Sequence, residues 1–408
     1  MNVPQLRFKE FNGEWKSLHL GQITETITSG SRNWAQYYSK NGSKFIRMTN
    51  LSRDGIQLKL DDLKFVNIKS NSIDGNRTSL AHGDILISIT AELGKIGWIP
   101  PSFGEAFINQ HTALVRIKKA TTESKFIAYL LSTTKLNIQI NRMNDAGAKA
   151  GLNLPTIKSI KIQLPGLEEQ TKIANFLTAV DEKIAQLTQK GELLARYKKG
   201  MMQQIFSQQL RFKDDDGREF PDWKHKTLGE ICSIKRGASP RPIADKKWFS
   251  EDSKIGWVRI SDVSRSDKYL NRTQQYLSDE GIEKSRLVKK GNIIMSICAT
   301  IGKPIYTNFD VCIHDGFVVF DSLQIKHEFL YYYLMLIEKN WYQYGQPGSQ
   351  VNLNSDIVSN ESINIPDEKE QTKIANFLTA LDDKISHNQI QLKTMKQYKQ
   401  GLLQQLFV

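Results

Sequence analysis

The residue types best suited to reading a polyanion recur in short glycine- and serine-bearing segments of this chain. Ser29-Gly30-Ser31-Arg32-Asn33 is answered, later on, by Lys235-Arg236-Gly237-Ala238-Ser239-Pro240-Arg241. Arg, Asn and Ser reach base edges and phosphate oxygens, and glycine lets a backbone approach a duplex closely. Lys44, Arg47 and Asn50 are matched by Lys254, Arg259 and Asp262, and Lys95 by Lys303. A further glycine-flanked stretch supplies Lys149 in the first half and Gln346, Ser349 and Gln350 in the second. A solvated turn explains any one loop equally well; repetition in both halves shifts the weight toward binding. The expected contacts are therefore Ser31, Arg32, Asn33, Lys44, Arg47, Asn50, Lys95 and Lys149, then Arg236, Ser239, Arg241, Lys254, Arg259, Lys303, Gln346, Ser349 and Gln350.

Catalytic chemistry finds less support. There is no G-x-x-x-x-G-K-[ST], no G-x-G-x-x-G after a strand, no H-E-x-x-H and no G-x-S-x-G. His327-Glu328 lacks the second histidine of a zinc site. Asp214-Asp215-Asp216-Gly217 lacks the alternating ligands and terminal glutamate of a calcium loop and reads as a turn. Pro366-Asp367-Glu368-Lys369 sits at a helix start, where acidic residues complement the dipole. His111 and His314 fall 203 positions apart beside a strand and read as hydrogen-bonded structural histidines. Cys232, Cys298 and Cys312 show no C-x-x-C spacing, so neither a disulfide framework nor a zinc site is expected, and a reducing compartment fits.

Lys and Arg number 56 against 43 Asp and Glu, a net charge of +13, which favours a polyanionic partner such as nucleic acid. The 408 residues exceed one ordinary domain. No apolar run is long enough to span a bilayer and the N-terminus lacks a signal-like apolar stretch, so a cytoplasmic chain without membrane contact is expected.

The elements that must position these residues come in duplicate. QTKIANFLTA occupies 170–179 and again 371–380, and at this offset of 201 the ungapped segments 170–206 and 371–407 share 19 of 37 residues. Arg7-Phe8-Lys9 recurs at 211–213, Trp15 and Leu20-Gly21 recur as Trp223 and Leu228-Gly229, and GDILISITAELGK at 83–95 resembles GNIIMSICATIGK at 291–303. The expected order is a globular domain over 1–160, a helix over 161–207, a second domain over 208–361 and a second helix over 362–408.

Ile173, Leu177, Val180, Ile184 and Leu187 have the three-and-four spacing of a coiled-coil seam, continued by Leu194, Tyr197, Met201 and Ile205. The second copy offers Ile374, Leu378, Leu381, Ile385 and Leu392, then Met395, Tyr398, Leu402 and Leu406. Asp367 is the expected N-cap, with Glu370 completing a capping box; Gly166 and Glu169 stand there in the first copy. Two helices of about 40 residues, each about 60 Å long, need a cover for their seams, and pairing with each other supplies it; the long connection lets them pair either way, and antiparallel pairing makes the two repeats swap places under a pseudo-twofold axis. The alternative is that each packs only on its own domain. In the domains, apolar runs at 85–89, 113–117, 293–297 and 317–320 predict strands, and 125–140 and 328–344 predict helices. The fold class expected is α+β: two tandem domains with mixed sheets, separated by two long helices in an antiparallel coiled coil.

The Pro-x-x-x-Glu-Gln-x-Lys-Ile-Ala-x-Phe-Leu block at 165–177 and 366–378, its helical continuation and the Leu-Gly and Gly-(Asp/Asn)-Ile landmarks closely resemble the specificity subunit of type I restriction-modification enzymes, over essentially the whole chain. That resemblance implies a non-catalytic subunit whose two target recognition domains each read one half of a bipartite, asymmetric double-stranded DNA sequence. It implies helices that set the spacing and dock two modification (methyltransferase) subunits, with restriction subunits joining through the complex. S-adenosylmethionine, ATP and Mg are then expected in partner chains and no cofactor or metal in this one. Gly191 and Asn388 break the symmetry of the seam. Two other readings stay open at this point: a self-contained DNA methyltransferase or nuclease with an unrecognised site, and an adaptor whose charge is incidental.

Overall fold

The computed structural model describes residues 3–32, 34–68, 77–144, 151–344 and 353–408. The first copy contains β1 (Lys16–His19), β2 (Thr24–Ser29), β3 (Tyr38–Ser39), β4 (Ser43–Ile46), β5 (Lys64–Val66), β6 (Ile85–Ser88), β7 (Ile96–Trp98), β8 (Ala106–Ile108) and β9 (Thr112–Ile117). Helices α1 (Ser124–Ser132), α2 (Thr134–Arg142) and α3 (Leu154–Lys158) follow, then β10 (Lys161–Leu164) and α4 (Leu167–Phe206). The second copy repeats the plan. It holds β11 (Lys224–Thr227), α5 (Leu228–Ile231), β12 (Ser233–Arg236), β13 (Gly256–Val258), α6 (Ile260–Ser264), β14 (Tyr269–Leu270), β15 (Gln275–Tyr276), α7 (Asp279–Glu283), β16 (Arg286–Val288), β17 (Ile293–Ser296) and β18 (Pro304–Thr307). It ends with β19 (Val311–Ile313), β20 (Phe317–Asp321), α8 (His327–Ile337), α9 (Ser355–Ser359), β21 (Ser362–Ile365) and α10 (Glu368–Gln405).

The chain divides into two compact units, residues 1–188 with 390–408 and residues 189–389. In the first, an antiparallel sheet runs β2-β9-β6-β7, and a mixed sheet runs β3-β5-β4-β8 with β4 and β8 parallel. In the second, one sheet runs β12-β20-β17-β18-β14 and another β15-β13-β19-β16, with β13 and β19 parallel. The apolar runs become central strands: every residue of β6 and β17 is buried, including the one polar member of each, Ser88 and Ser296. The expected helix over 125–140 is two helices. Thr133 is extended (ψ 147°) and caps α2 by accepting a hydrogen bond from the Leu136 N–H. Likewise 328–344 begins as α8 and tightens into a 3-10 segment over Glu338–Tyr344.

The long helices start later than expected, because 161–164 and 362–365 are strands paired with β1 and β11. Asp367 caps α10, accepting from the Lys369 N–H at 2.9 Å. Glu370 does not close a capping box. It is fully buried and takes Arg211 Nη2 at 2.7 Å and Trp223 Nε1 at 3.1 Å, just as Glu169 takes Arg7 Nε at 2.8 Å and Nη2 at 2.7 Å. The neighbouring Gln170 and Gln371 accept from the Glu123 and Lys326 N–H groups and donate to the Pro165 and Pro366 carbonyls. The doubled block thus ties each helix to its own domain.

In the first unit Ile173, Leu177 and Val180 share a core with Leu402, Leu406 and Phe407 of the other helix's end. In the second, Ile374, Leu378 and Leu381 share one with Met202 and Ile205. Each fully buried Leu or Ile contributes about 1.5–3 kcal/mol. Ile184, Ile385 and Leu392 are half-buried and Leu187 is buried. Within the second unit, Gly191 faces Asn388, where an added Cβ would lie 2.9 Å from the amide nitrogen, and Lys198 faces Asp382; the two helices run antiparallel there.

The seam departs from the expected pattern at its tyrosine in each unit and, in the second, also at Met201, where Met202 is buried instead. Tyr197 and Tyr398 are half exposed, and Lys198 and Lys399 are buried in their stead. Lys399 Nζ lies 2.6 Å from Asp181 Oδ1, and Asp181 Oδ2 accepts from the Tyr129 hydroxyl at 2.7 Å. Lys198 pairs with Asp382, whose other oxygen accepts from Tyr332 at 2.6 Å. Burial beside these carboxylates raises the pKa of both tyrosines, so they stay hydroxyl donors. A buried charge needs a partner, and the carboxylate turns each lysine inward.

Candidate nucleic-acid interface

In the first unit the carboxyl ends of β2, β4, β6 and β8 meet at one place, around the turn Asn109–Thr112. The Thr112 N–H donates to the Asn109 carbonyl, the Gly30 N–H to Thr112 O, and the Ile89 N–H to His111 O. In the second unit the ends of β12, β13, β17 and β19 meet around His314–Phe317: the Phe317 N–H donates to His314 O, the Gly237 N–H to Phe317 O, and the Ile297 N–H to Gly316 O. Gly30 and Gly237 are required here. A Cβ on Gly30 would sit 2.2 Å from the Asn109 backbone, and one on Gly237 2.1 Å from His314 O.

This superposes Asn109 on His314, and His111 on Gly316, so the two histidines are not equivalent as the sequence offset suggested. Their roles differ accordingly. Asn109 Oδ1 accepts from the His111 N–H at 3.2 Å, and His314 Nδ1 does the same work for the Gly316 N–H at 2.8 Å. Burial pushes the His314 pKa down, in keeping with an acceptor nitrogen. His111 Nδ1 instead meets Thr90 Oγ1 at 2.8 Å.

A second shared device is the turn between β6 and β7 and between β17 and β18. Ser88 and Ser296, both fully buried, donate to the carbonyls of Glu92 and Thr300. Ala91 and Ala299 both take φ 56°, with Gly94 at 75° and Gly302 at 79°. Left-handed alanine is costly backbone that persists where its surroundings fix it.

These frames bring together eight of the twelve expected contacts that lie among the described residues. Arg32 is exposed beside the Asn109 turn. Arg47 and Arg259 sit at matching strand ends, Arg47 bound to Asp62 at 2.7 Å and Arg259 Nε to Gln275 at 2.7 Å. Lys95 pairs with Glu92, whereas Lys303 Nζ donates to Ser266 O at 2.7 Å. Arg236, Ser239 and Arg241 gather at Asp315. Two residues are scaffold instead: Asn50 is buried, accepting from the Arg47 N–H and donating to Lys59 O, and Ser31 is buried, its hydroxyl accepting from Arg77 Nη2 at 3.0 Å. Lys44, the second residue of β4, and Lys254, two residues before β13, lie toward the opposite strand ends; Lys44 Nζ is bound to Phe103 O. Asn33, Lys149, Gln346, Ser349 and Gln350 fall outside the described residues.

Arg77 and Arg286 were not expected. Arg286 Nε donates to the Arg236 carbonyl; each arginine stands in ordinary polar sequence, and only its distance along the chain from the loop it supports hid it. Asp214 forms the anticipated turn, its Oδ1 accepting from the Asp216 and Arg218 N–H groups. Among the described residues no group of three or more His, Cys, Asp or Glu is placed to hold a metal, and no described helix is long and apolar enough to cross a membrane.

Comparison with known proteins adds an independent line. The family model "Type I restriction modification DNA specificity domain" matches residues 12–195 and 221–395. A putative type I restriction enzyme MjaX specificity subunit from Methanocaldococcus jannaschii is 26% identical over 98% of this chain and 95% of its own. The MjaVIII specificity subunit of the same organism is 25% identical over 97% and 94%. The crystal structure of a type I restriction-modification S subunit from M. genitalium shares the fold at TM-score 0.61 and 14% identity, covering 100% of this chain and 99% of that one. A chain from a study of type I R-M complex assembly matches at TM-score 0.60 and 17% identity, covering 96% and 97%.

Proposed function

The chain belongs to the family of type I restriction modification DNA specificity domains, and from that premise we propose how its two halves divide the work. It is a recognition subunit, non-catalytic by itself. Each domain reads one half of a bipartite, asymmetric sequence at the four-strand junction described above. Base contacts there select the half-site, phosphate contacts from neighbouring Lys and Arg fix its orientation, and the two helices set the gap between half-sites.

The observation that carries this reading is the repetition of one backbone frame with different side chains on it. Gly30 and Gly237 approach the same turn; the turn itself reads Asn109-Gln110-His111 in one unit and His314-Asp315-Gly316 in the other. A constant frame with interchangeable readers is what two different half-sites require. Of the expected contacts, Arg32, Arg47, Lys95, Arg236, Ser239, Arg241, Arg259 and Lys303 stand at these junctions and are the proposed DNA contacts. Ser31 and Asn50 hold them in place.

The outer faces of the helices suit protein partners. Leu193 and Tyr197 are 53% and 51% exposed one turn apart on α4, and Ile390 and Tyr398 are 64% and 50% exposed on α10. Large apolar and aromatic side chains left in water mark interaction surfaces. The proposed occupants are two modification subunits, which bring S-adenosylmethionine, with ATP and Mg entering through the restriction subunits.

Genome-wide mapping of methylated adenines in cells with and without this chain tests the proposal. A bipartite motif that appears only with the chain supports it, and an identical methylation pattern in both overturns it.

A further inference from the structure

We propose that the half-site read by the second domain contains a G·C base pair recognised jointly by Arg236, Arg241 and Asp315, and that Asp315 sets this preference. The inference rests on the recognition role proposed above and deepens it.

Asp315 is the second residue of the His314–Phe317 turn, and its groups organise the surrounding loop. Its Oδ1 accepts from the Ser239 hydroxyl at 2.9 Å, its Oδ2 lies 3.6 Å from Arg241 Nη2, and its carbonyl accepts from Arg236 Nε at 2.7 Å. The Arg236 carbonyl in turn takes Arg286 Nε. One guanidinium therefore stands beside the Asp315 carboxylate and a second on the carbonyl of the same residue, and the group is open to solvent: the Arg241 side chain is 81% exposed and that of Asp315 is 45% exposed. Burial alone would raise the Asp315 pKa, but the Ser239 bond, His314 and Arg236 outweigh it and hold the carboxyl below its usual range. It is a pure acceptor at neutral pH.

A carboxylate in a cationic surface weakens attraction to phosphate, and an exposed ion pair at 3.6 Å contributes little to stability. The Ser239 bond fixes the loop, but neither phosphate affinity nor stability accounts for a carboxylate left 45% exposed beside Arg241. Base chemistry does. In the major groove, guanine presents two acceptors, N7 and O6, and its cytosine partner presents the N4 donor beside them. An arginine fork next to a carboxylate is the complement of that edge, whereas an A·T pair would set its N6 donor against the arginine and its O4 acceptor against the carboxylate. At the matching turn position the first domain has Gln110, a neutral amide that donates and accepts. The two domains thus carry different base chemistry on one frame.

The test maps methylated adenines in a methylation-free host that expresses the full chain with its modification subunits, and assigns the halves by exchanging the first domain. The half left unchanged by that exchange should specify a G·C pair. Asp315→Asn should lower the preference at that position about tenfold, the lower part of the range for a lost base contact, and leave the other half intact. A second-domain half defined only by A·T pairs, or an unaltered motif in Asp315→Asn, overturns the proposal. If Asp315→Asn abolishes methylation, Arg241→Gln decides, since this exposed side chain has no part in the core: relaxation at the same guanine supports the proposal and an unchanged motif overturns it. A wild-type chain that yields no motif sinks the recognition role itself, an outcome distinct from a motif lacking G·C.

Discussion

Replacing Lys399 by methionine should loosen the end of α10 far more than Lys198→Met loosens the end of α4. The two lysines occupy equivalent positions, but their surroundings differ. Lys399 and Asp181 have side chains 7% and 9% exposed. Removing the ammonium strands a buried carboxylate, a change that costs about 3–5 kcal/mol in general. Asp181 keeps the Tyr129 hydroxyl and the Gln57 amide, which places the loss near the lower end, about 3 kcal/mol. Asp382 is 21% exposed and has a second cation, Lys268, 3.7 Å away. Loss of Lys198 there should cost about 1 kcal/mol, the scale of a solvent-screened pair. The difference of about 2 kcal/mol is about thirtyfold in the opening equilibrium. Native-state hydrogen exchange over 396–405 in one variant and 195–204 in the other reads it directly. The double variant Lys399→Met/Asp181→Asn should recover part of the protection, because no buried charge is left unpaired. Equal losses in the two variants, or no recovery in the double variant, would refute the reasoning.

Gly30→Ala and Gly237→Ala each force a Cβ into backbone at 2.1–2.2 Å; overpacking of about 1–3 kcal/mol and a displaced loop should follow, degrading one half-site in each case, as methylation mapping would show. His314 has its pKa lowered from 6.5 by burial, with Asp315 and Arg259 as its charged neighbours. The unfolded chain therefore binds the proton first, and stability at this turn is complete above pH 6.5 and is lost as pH falls toward the folded value. His314→Asn, the residue of the matching turn, should remove that acid sensitivity in a DNA-binding pH series. Burial pushes the Cys232 thiol up to about 12 and Cys312 up to about 11, and both are buried, whereas Cys298 is half-buried. Brief iodoacetamide treatment of the native protein should label Cys298 first, by peptide mass analysis, and second-domain half-site reading should fall with it, because its thiol lies beside Gly316.

What the sequence made legible was whatever obeyed a period or was copied. The repeated block, the first turns of both seams, the buried strands at 85–88 and 293–296 and the pairing of the helices follow from such patterns, whereas their antiparallel direction was one of two that the seam spacing allowed. Polar residues that act at long range were not legible. A lysine one place from a tyrosine reads as surface, and only Asp181 and Asp382, which the fold brings in, explain why Lys399 and Lys198 are buried. Glu370 has the spacing of a capping box, yet Arg211, 159 positions away, claims it. His111 and His314 share an offset, but loop lengths differ between copies, and only the backbone hydrogen bonds reveal that His314 stands where Asn109 does. Asn50 has a suitable type for a base contact; the local cap it forms consumes it.

The central claim is that each domain reads its half-site independently of the other. Exchanging residues 16–164, from β1 through β10, for the corresponding segment of another specificity subunit and mapping methylated adenines tests it most directly. The account predicts that one half of the motif changes while the other half keeps its bases. Both halves changing together would contradict it.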